Sequence, residues 1–216
     1  MKKRLGLLIT LLTLTLALCG CGGGFDAAQL LQGNLDVLYL GQYDEEYLKS
    51  VNLTEEQATA LYDEGMETEY EYFAYYFDID TSLISAETKQ AIIDLYKQIY
   101  AYSKYEVGDT SKNGETYLVQ LTIYPIDIIS KFDPDQFQTQ WQNRINAGEF
   151  DAMSDAQFEE AWAKSIIDSL SARVEKIGYL DPETISVQIA KDTDGYYCIT
   201  DNDFQRIDEL IIAYDN

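Results

Sequence analysis

The first 24 residues constrain the chain most, because they decide in which compartment the remainder must fold. Lys2, Lys3 and Arg4 give a positively charged start, and an apolar run follows over residues 5–18. Positive charge followed by a short apolar run is typical of a secretory signal. The run is shorter than the roughly 20 residues that a spanning helix needs. The sequence therefore favours a cleaved leader over a permanent transmembrane helix.

The leader ends in Leu18-Cys19-Gly20-Cys21, followed by three glycines. This tetrapeptide resembles a bacterial lipobox, with leucine at minus three and a small residue at minus one from the modified Cys21. Cys19 does not fit, because the bulky Leu18 precedes it. We predict cleavage between Gly20 and Cys21 and acylation of Cys21, including palmitate; each buried methylene of such a lipid contributes about 0.8 kcal/mol. An ordinary cleaved signal with a chance cysteine is the alternative.

The chain is strongly acidic. It carries 38 Asp and Glu against 15 Lys and Arg, a formal net charge of −23, and loss of the three basic leader residues makes it −23 − 3 = −26. Nucleic acids and anionic lipid headgroups are polyanions, so the charge argues against nucleic acid as a partner. Basic peptides and divalent ions remain compatible partners.

Cysteine and histidine content limits the chemistry. Cys19 is expected to leave with the leader and Cys21 to carry lipid, which leaves Cys198 alone and predicts no disulfide. Cys198 is interpreted as a small core residue, since free cysteines are commonly buried. The chain has 0 histidines, which removes Ser-His and Cys-His catalysis and His-ligated zinc. We predict no cofactor and no metal.

Hydrophobic periodicity predicts helices that alternate with two hairpins. Helices are predicted over residues 25–39, 44–51, 55–77, 86–99, 134–147, 155–177 and 203–211, and strands over 105–107, 117–123, 185–189 and 196–200. Thr54–Gln57 and Ser154–Gln157 have the pattern of capping boxes. Gly178 is predicted as a left-handed cap, and the apolar Leu118 and Tyr124 predict that the second strand is covered on both faces.

This order indicates an α+β fold. N-terminal helices and two further helices are expected to pack on a small antiparallel sheet made of two hairpins. Residues 1–20 are assigned as signal peptide, 21–24 as lipidated cysteine and glycine tether, and 25–216 as one globular domain. Helix followed by hairpin occurs twice, over 86–124 and 155–200, which suggests an internal repeat. A cystatin-like or nuclear-transport-factor-like half-cone is compatible with this order of helices and hairpins. The order alone does not distinguish these folds from other α+β folds.

Three segments, together with the lipobox, carry a family resemblance. They are the Tyr-rich helix pair over 55–99, the run Tyr105–Asp127 and the closing Asp194–Ile199. Over most of its mature length the chain resembles small Gram-positive cell-surface lipoproteins with an uncharacterised α+β domain. That family has no established activity, so the resemblance implies a location at the cell surface and a fold, but no function.

The most unusual stretch is residues 69–77, which is rich in tyrosine and phenylalanine. Tyr72, Tyr75 and Tyr76 fall outside the core stripe of the predicted helix. Exposed tyrosines combine a large rigid area with a polar tip, so these three form a candidate surface for sugar rings or a protein. Burial against neighbouring helices is the alternative.

The spacing of Asp and Glu along the sequence does not indicate a catalytic acid pair or a metal-binding loop. The acidic turns over residues 78–80, 192–195 and 201–203 are interpreted as turn and cap chemistry rather than calcium loops. No specific acid pair for glycoside hydrolysis stands out. No catalytic residue is assigned.

We therefore predict a non-enzymatic lipoprotein at the extracytoplasmic face of the cell membrane. Its partners would be the membrane, through the lipid anchor, and an unknown protein or glycan. The alternative is a solute- or carbohydrate-binding lipoprotein that uses the Tyr-rich surface, and a third hypothesis is a weak hydrolase with an acidic pair.

Overall fold

A computed structural model describes residues 19–20 and 25–214. The described residues form seven α-helices and four β-strands, and the predicted α+β class is confirmed. The helices are α1 (Ala27–Leu35), α2 (Glu45–Ser50), α3 (Glu55–Tyr76), α4 (Ala86–Tyr100), α5 (Pro134–Asn146), α6 (Asp155–Val174) and α7 (Asp201–Ile211). The strands are β1 (Lys104–Asn113), β2 (Thr116–Tyr124), β3 (Glu183–Lys191) and β4 (Tyr197–Ile199).

Both predicted capping boxes are present. At the start of α3, the Gln57 backbone N–H donates to Thr54 Oγ1 at 3.2 Å and the Thr54 N–H donates to Gln57 Oε1 at 2.9 Å. At the start of α6, the Ser154 N–H donates to Gln157 Oε1 at 2.9 Å. Each box satisfies backbone donors that a helix leaves without partners, so these two starts are fixed locally.

The predicted cap at Gly178 is wrong. Helix α6 ends at Val174, and the Gly178 N–H instead donates to Asp127 Oδ1 at 3.0 Å. A Cβ at position 178 would lie 2.8 Å from Asp127 Oδ2. Glycine is needed here because a buried carboxylate from another segment approaches its backbone.

The four strands form one antiparallel sheet in the order β1-β2-β3-β4. Helices α5 and α6 lie in the connection from β2 to β3. Gly20 extends the edge beyond β4: its N–H donates to the Tyr197 carbonyl at 2.9 Å, and its carbonyl accepts from the Tyr197 N–H at 2.8 Å.

One face of the sheet is buried. Helices α1 and α7 pack on it, over the fully buried Val119, Leu121, Val187 and Ile189. The other face stays partly open, with Gln120 exposed, so the prediction that β2 is covered on both faces is wrong. Leu118 and Tyr124 on the outer face are only half-buried.

The remaining helices form a second layer. Helix α4 packs against both α3 and α6, and the buried apolar side chains join into one core. Within the described part of the chain, no helix combines the length and apolar character needed to cross a bilayer. The helix–hairpin order predicted twice is present, while an internal duplication stays a hypothesis.

Candidate functional site: an aromatic pocket

The three tyrosines predicted as a binding surface lie on the last turns of α3 and differ in exposure. Tyr75 is 45% exposed and Tyr76 is 37% exposed, whereas Tyr72 is half-buried. The Tyr72 ring packs edge-on against the Tyr214 ring, with centroids 4.7 Å apart. Tyr76 lines the pocket described next, and Tyr72 and Tyr75 are not among the described residues that line it. Contact through Tyr75 stays a prediction.

The pocket that Tyr76 lines has a volume of about 460 Å³, within the size range of small-molecule sites. It lies where the end of α3, the segment after β2, the first turns of α5, one face of α6 and the C-terminal segment meet. Its lining residues are Tyr76, Phe77, Asp78, Ile129, Ser130, Phe132, Pro134, Phe137, Gln138, Trp162 and Tyr214.

The end of α3 forms one wall because of how the helix terminates. Asp78 has φ +59, and the Ile79 N–H donates to the Ala74 carbonyl at 2.8 Å. A left-handed residue followed by this backbone bond is a Schellman motif, a conformation that Asp tolerates better than most residues. The motif reverses the chain, and Asp78 becomes part of the pocket lining.

Helix α6 supplies the opposite wall through Trp162. Its indole Nε1–H donates to the Phe77 carbonyl oxygen at 3.1 Å, which ties α6 to the end of α3. The Trp162 and Phe137 ring centroids lie 5.3 Å apart, and those of Phe137 and Phe132 lie 5.2 Å apart. The sequence predicted Phe137 and Trp162 as core stripes; the structure places both at the pocket, half-buried.

The pocket lining combines polar and apolar surface in similar measure. Asp78 is the one charged side chain among its described lining residues, and Gln138 contributes an amide. The Ser130 hydroxyl donates to the Asp127 carbonyl at 3.1 Å. With a single carboxylate, the lining lacks the pair that glycoside hydrolysis uses.

The most strongly shifted carboxylate lies elsewhere. Glu160, on α6, accepts hydrogen bonds from the Ser85 N–H and the Thr88 hydroxyl at the start of α4. Burial raises the pKa of Glu160, but these bonds, with the charge of Lys164, outweigh burial and lower the pKa from 4.5 to about 2. Glu160 is therefore an ionised cap for a neighbouring helix, unsuited to act as a general acid near neutral pH.

Carboxylates in the acidic turns accept backbone hydrogen bonds. Asp192 Oδ1 accepts the N–H groups of Asp194 at 2.9 Å and of Tyr196 at 2.8 Å. Asp203 Oδ2 accepts the Gln188 N–H at 2.8 Å. These carboxylates thus stabilise the β3–β4 turn and the start of α7.

The cysteines differ from expectation. A disulfide joins Cys19 to Cys198, so the prediction that Cys198 stands alone without a disulfide is wrong for the full-length chain. Pairing of Gly20 with Tyr197 brings the two cysteines together across 179 residues of sequence. Cleavage before Cys21 breaks a peptide bond and not the S–S bond, so Cys198 is a free thiol only in a chain that is cleaved before the disulfide forms. Cys21 itself lies outside the described residues.

The disulfide also bears on metal binding. Cys19, Cys198 and Asp192 place possible ligand atoms within 4.8 Å of one another. Metals bind cysteine as the thiolate, and sulfurs joined to each other do not supply it.

Comparison with known proteins identifies a fold relative. No family model matches the chain, and no curated protein matches its sequence. The fold is similar to a crystal structure, at 2.62 Å resolution, of a protein from Bacillus subtilis subsp. subtilis str. 168 that is described as a candidate lipoprotein (ycdA). The TM-score is 0.57 at 15% identity, over 86% of this chain. This chain spans only 56% of that protein, and the similarity at this identity concerns the fold alone.

Proposed function

We propose that the mature protein is a lipid-anchored extracytoplasmic binding protein, attached to the membrane through Cys21 and without catalytic activity. The aromatic pocket carries the binding part of this proposal, because it combines a ligand-sized volume of about 460 Å³ with an aromatic lining. The leader and lipobox support the anchor. So does a similar fold in a protein described as a candidate lipoprotein.

The position of the pocket suits this function. Phe25, the first described residue after the tether, stacks on Tyr197 with centroids 4.3 Å apart and lies 5.2 Å from Tyr117, at the start of β2. Pocket residues Ile129 and Phe132 follow the other end of β2, which has 9 residues and spans about 27 Å at roughly 3.4 Å per residue. A lipid at Cys21 would therefore leave the pocket at the end of the domain remote from the anchor.

A carbohydrate ligand is the second candidate. Sugar rings stack on aromatic faces, and Gln138 and Asp78 provide hydrogen-bonding groups beside the rings of Phe137 and Trp162. A protein partner that contacts the exposed Tyr75 is the third, and it would not need the pocket.

Anchoring is tested by two cysteine variants of the full chain. The Cys21→Ser variant is expected to lose lipid, as measured by intact mass and by release from membranes in a carbonate wash. The Cys19→Ser variant is the matched control and should remain lipidated, because the predicted lipobox accepts serine at minus two. A wild-type chain without lipid, or a Cys21→Ser chain of unchanged lipid mass, would contradict the anchor.

Binding is tested by thermal denaturation of the full chain with a panel of sugars, amino acids and amines. A ligand that binds the folded state raises Tm, and the rise grows with the logarithm of ligand concentration above Kd. A panel that leaves Tm unchanged throughout would overturn the binding function.

A further inference from the structure

We infer that the edge of β4 is a docking site for the end of the leader, and that the Cys19–Cys198 disulfide holds the leader there and delays its removal. The inference rests on the proposed lipid anchor, because it concerns the cleavage between Gly20 and Cys21 that produces the mature chain. It is carried by the juxtaposition of the Gly20 carbonyl with the Tyr197 backbone and with the disulfide one residue away.

Both backbone groups of Gly20 are paired within the fold. Its N–H donates to the Tyr197 carbonyl at 2.9 Å, and its carbonyl accepts from the Tyr197 N–H at 2.8 Å. A peptidase that binds its substrate as an extended strand uses these same backbone groups, and it must polarise the carbonyl that it attacks. A docked Gly20 therefore presents neither group to such an enzyme.

Side chains of the domain also cover Gly20. The residue is buried, and a Cβ at this position would lie 3.0 Å from Phe25 Cε2 and 3.3 Å from Leu30 Cδ1. The Phe25 ring in turn stacks on the Tyr197 ring, with centroids 4.3 Å apart. Because packing this close leaves no room for a second protein beside Gly20, the leader end must undock before it can be cleaved.

The disulfide makes this docking last. Two backbone hydrogen bonds keep all but roughly one chain in ten docked once the strand is in place. Without a covalent link, the leader end can move away from the domain after each opening. The bond from the adjacent Cys19 to Cys198 keeps the leader end beside β4 instead, so that docking is restored within the same molecule.

Formation of the bond requires an external disulfide as the oxidant. By thiol–disulfide exchange, Cys19 and Cys198 lose two electrons and two protons, and the external disulfide takes them up to become two thiols. A dithiol reverses the exchange and is itself oxidised to a disulfide. Disulfides persist outside the cytoplasm, so the fate of each chain there depends on whether oxidation or cleavage comes first.

The test follows conversion of the full precursor to the lipidated mature chain in a bacterium that processes lipoproteins. Pulse-labelled precursor is chased with or without dithiothreitol, and gel mobility and intact mass separate the two forms. We expect the oxidised wild-type precursor to convert about tenfold more slowly than the reduced one, as the undocked fraction predicts. Cys198→Ala removes the disulfide without changing the lipobox, so its conversion should be fast and independent of the reductant.

A second pair of variants assigns the delay to the docked strand. Phe25→Ala removes a ring that covers Gly20 but keeps both cysteines, so the effect of the reductant should shrink severalfold. Tyr196→Ala is the matched control, because Tyr196 directly precedes β4 and is 46% exposed, and it should behave as the wild type. In the purified Cys21→Ser precursor, the Gly20 amide should be protected from hydrogen exchange and should exchange faster after reduction.

Each contrary outcome is distinct. Equal conversion of the wild type with and without reductant overturns the delay and leaves the anchor standing. A reductant effect that persists in Cys198→Ala overturns the role of this disulfide, and an unprotected Gly20 amide in the oxidised precursor overturns the docking. A lipidated chain that still carries residues 1–20 through the disulfide would show that the docked leader is cleaved. Absence of lipidated product from every variant overturns both the inference and the anchor beneath it.

Discussion

Replacing Gly33 by alanine should destabilise the fold, although alanine is the better helix former. The Gly33 position is buried in α1, and a Cβ there would lie 2.0 Å from Cδ2 and 2.3 Å from Cε2 of the Tyr47 ring. Carbon atoms pack at about 3.5–4.0 Å, so the ring must move. Tyr47 is 1% exposed, which leaves it little space to do so.

The displaced ring would also lose a buried hydrogen bond. The Tyr47 hydroxyl donates to Asn34 Oδ1 at 2.6 Å, and Asn34 is 3% exposed. Leaving a buried polar group unsatisfied costs about 1–3 kcal/mol, and overpacking costs about 1–3 kcal/mol. Alanine returns about 1 kcal/mol of helix propensity. We therefore expect the free energy of unfolding to fall by about 2–4 kcal/mol.

Gly65→Ala is the matched control. Gly65 lies within α3, and the nearest atom that a Cβ there would meet among the described residues is the Leu38 carbonyl oxygen at 4.0 Å. The same substitution should therefore raise stability by about 0.5–1 kcal/mol. Urea denaturation followed by circular dichroism measures both variants. A Gly33→Ala protein as stable as the wild type would refute the packing of α1 against α2.

Three further predictions concern single groups. Because the folded-state pKa of Glu160 is depressed from 4.5 to about 2, its stabilisation is present above about pH 4.5 and is lost as the pH falls towards 2. Glu160→Gln should therefore destabilise at pH 7, and urea titrations should show its deficit shrinking below pH 4.5; a constant deficit would contradict the ionised cap. Ser154→Ala should cost about 1 kcal/mol in the same assay, and no loss would argue against the capping box. In uncleaved Cys21→Ser, alkylation with mass spectrometry should label Cys198 only after reduction, and labelling without reduction would contradict the Cys19–Cys198 disulfide.

Local signals predicted the helix starts well. The Thr54 and Ser154 caps are set by atoms within three residues, so a short pattern contains all the information that the geometry needs. The cap predicted at Gly178 failed because its partner, Asp127, lies 51 residues away. A glycine that looks like a helix terminator can instead be required by a distant carboxylate.

The sequence identified only some of the residues that line the pocket. The aromatic run over residues 69–77 drew attention to Tyr76, but Tyr72 and Tyr75 in the same run do not line the pocket. Phe137 and Trp162 had the spacing of core stripes, and helical periodicity cannot distinguish a residue that faces the core from one at the rim of a cavity. Partial burial of a tryptophan with a bonded indole N–H is visible only in three dimensions.

By itself the sequence determined the acidic charge and the identity of most helices and strands, and it predicted a lipobox-like leader. These properties depend on composition or on spacing within one element, so no tertiary contact is needed to read them. The tertiary structure alone decided the pairing of Cys19 with Cys198 and the meeting of Tyr76, Trp162 and Tyr214 around one cavity. Such contacts join residues far apart along the chain, and packing of the whole core selects them.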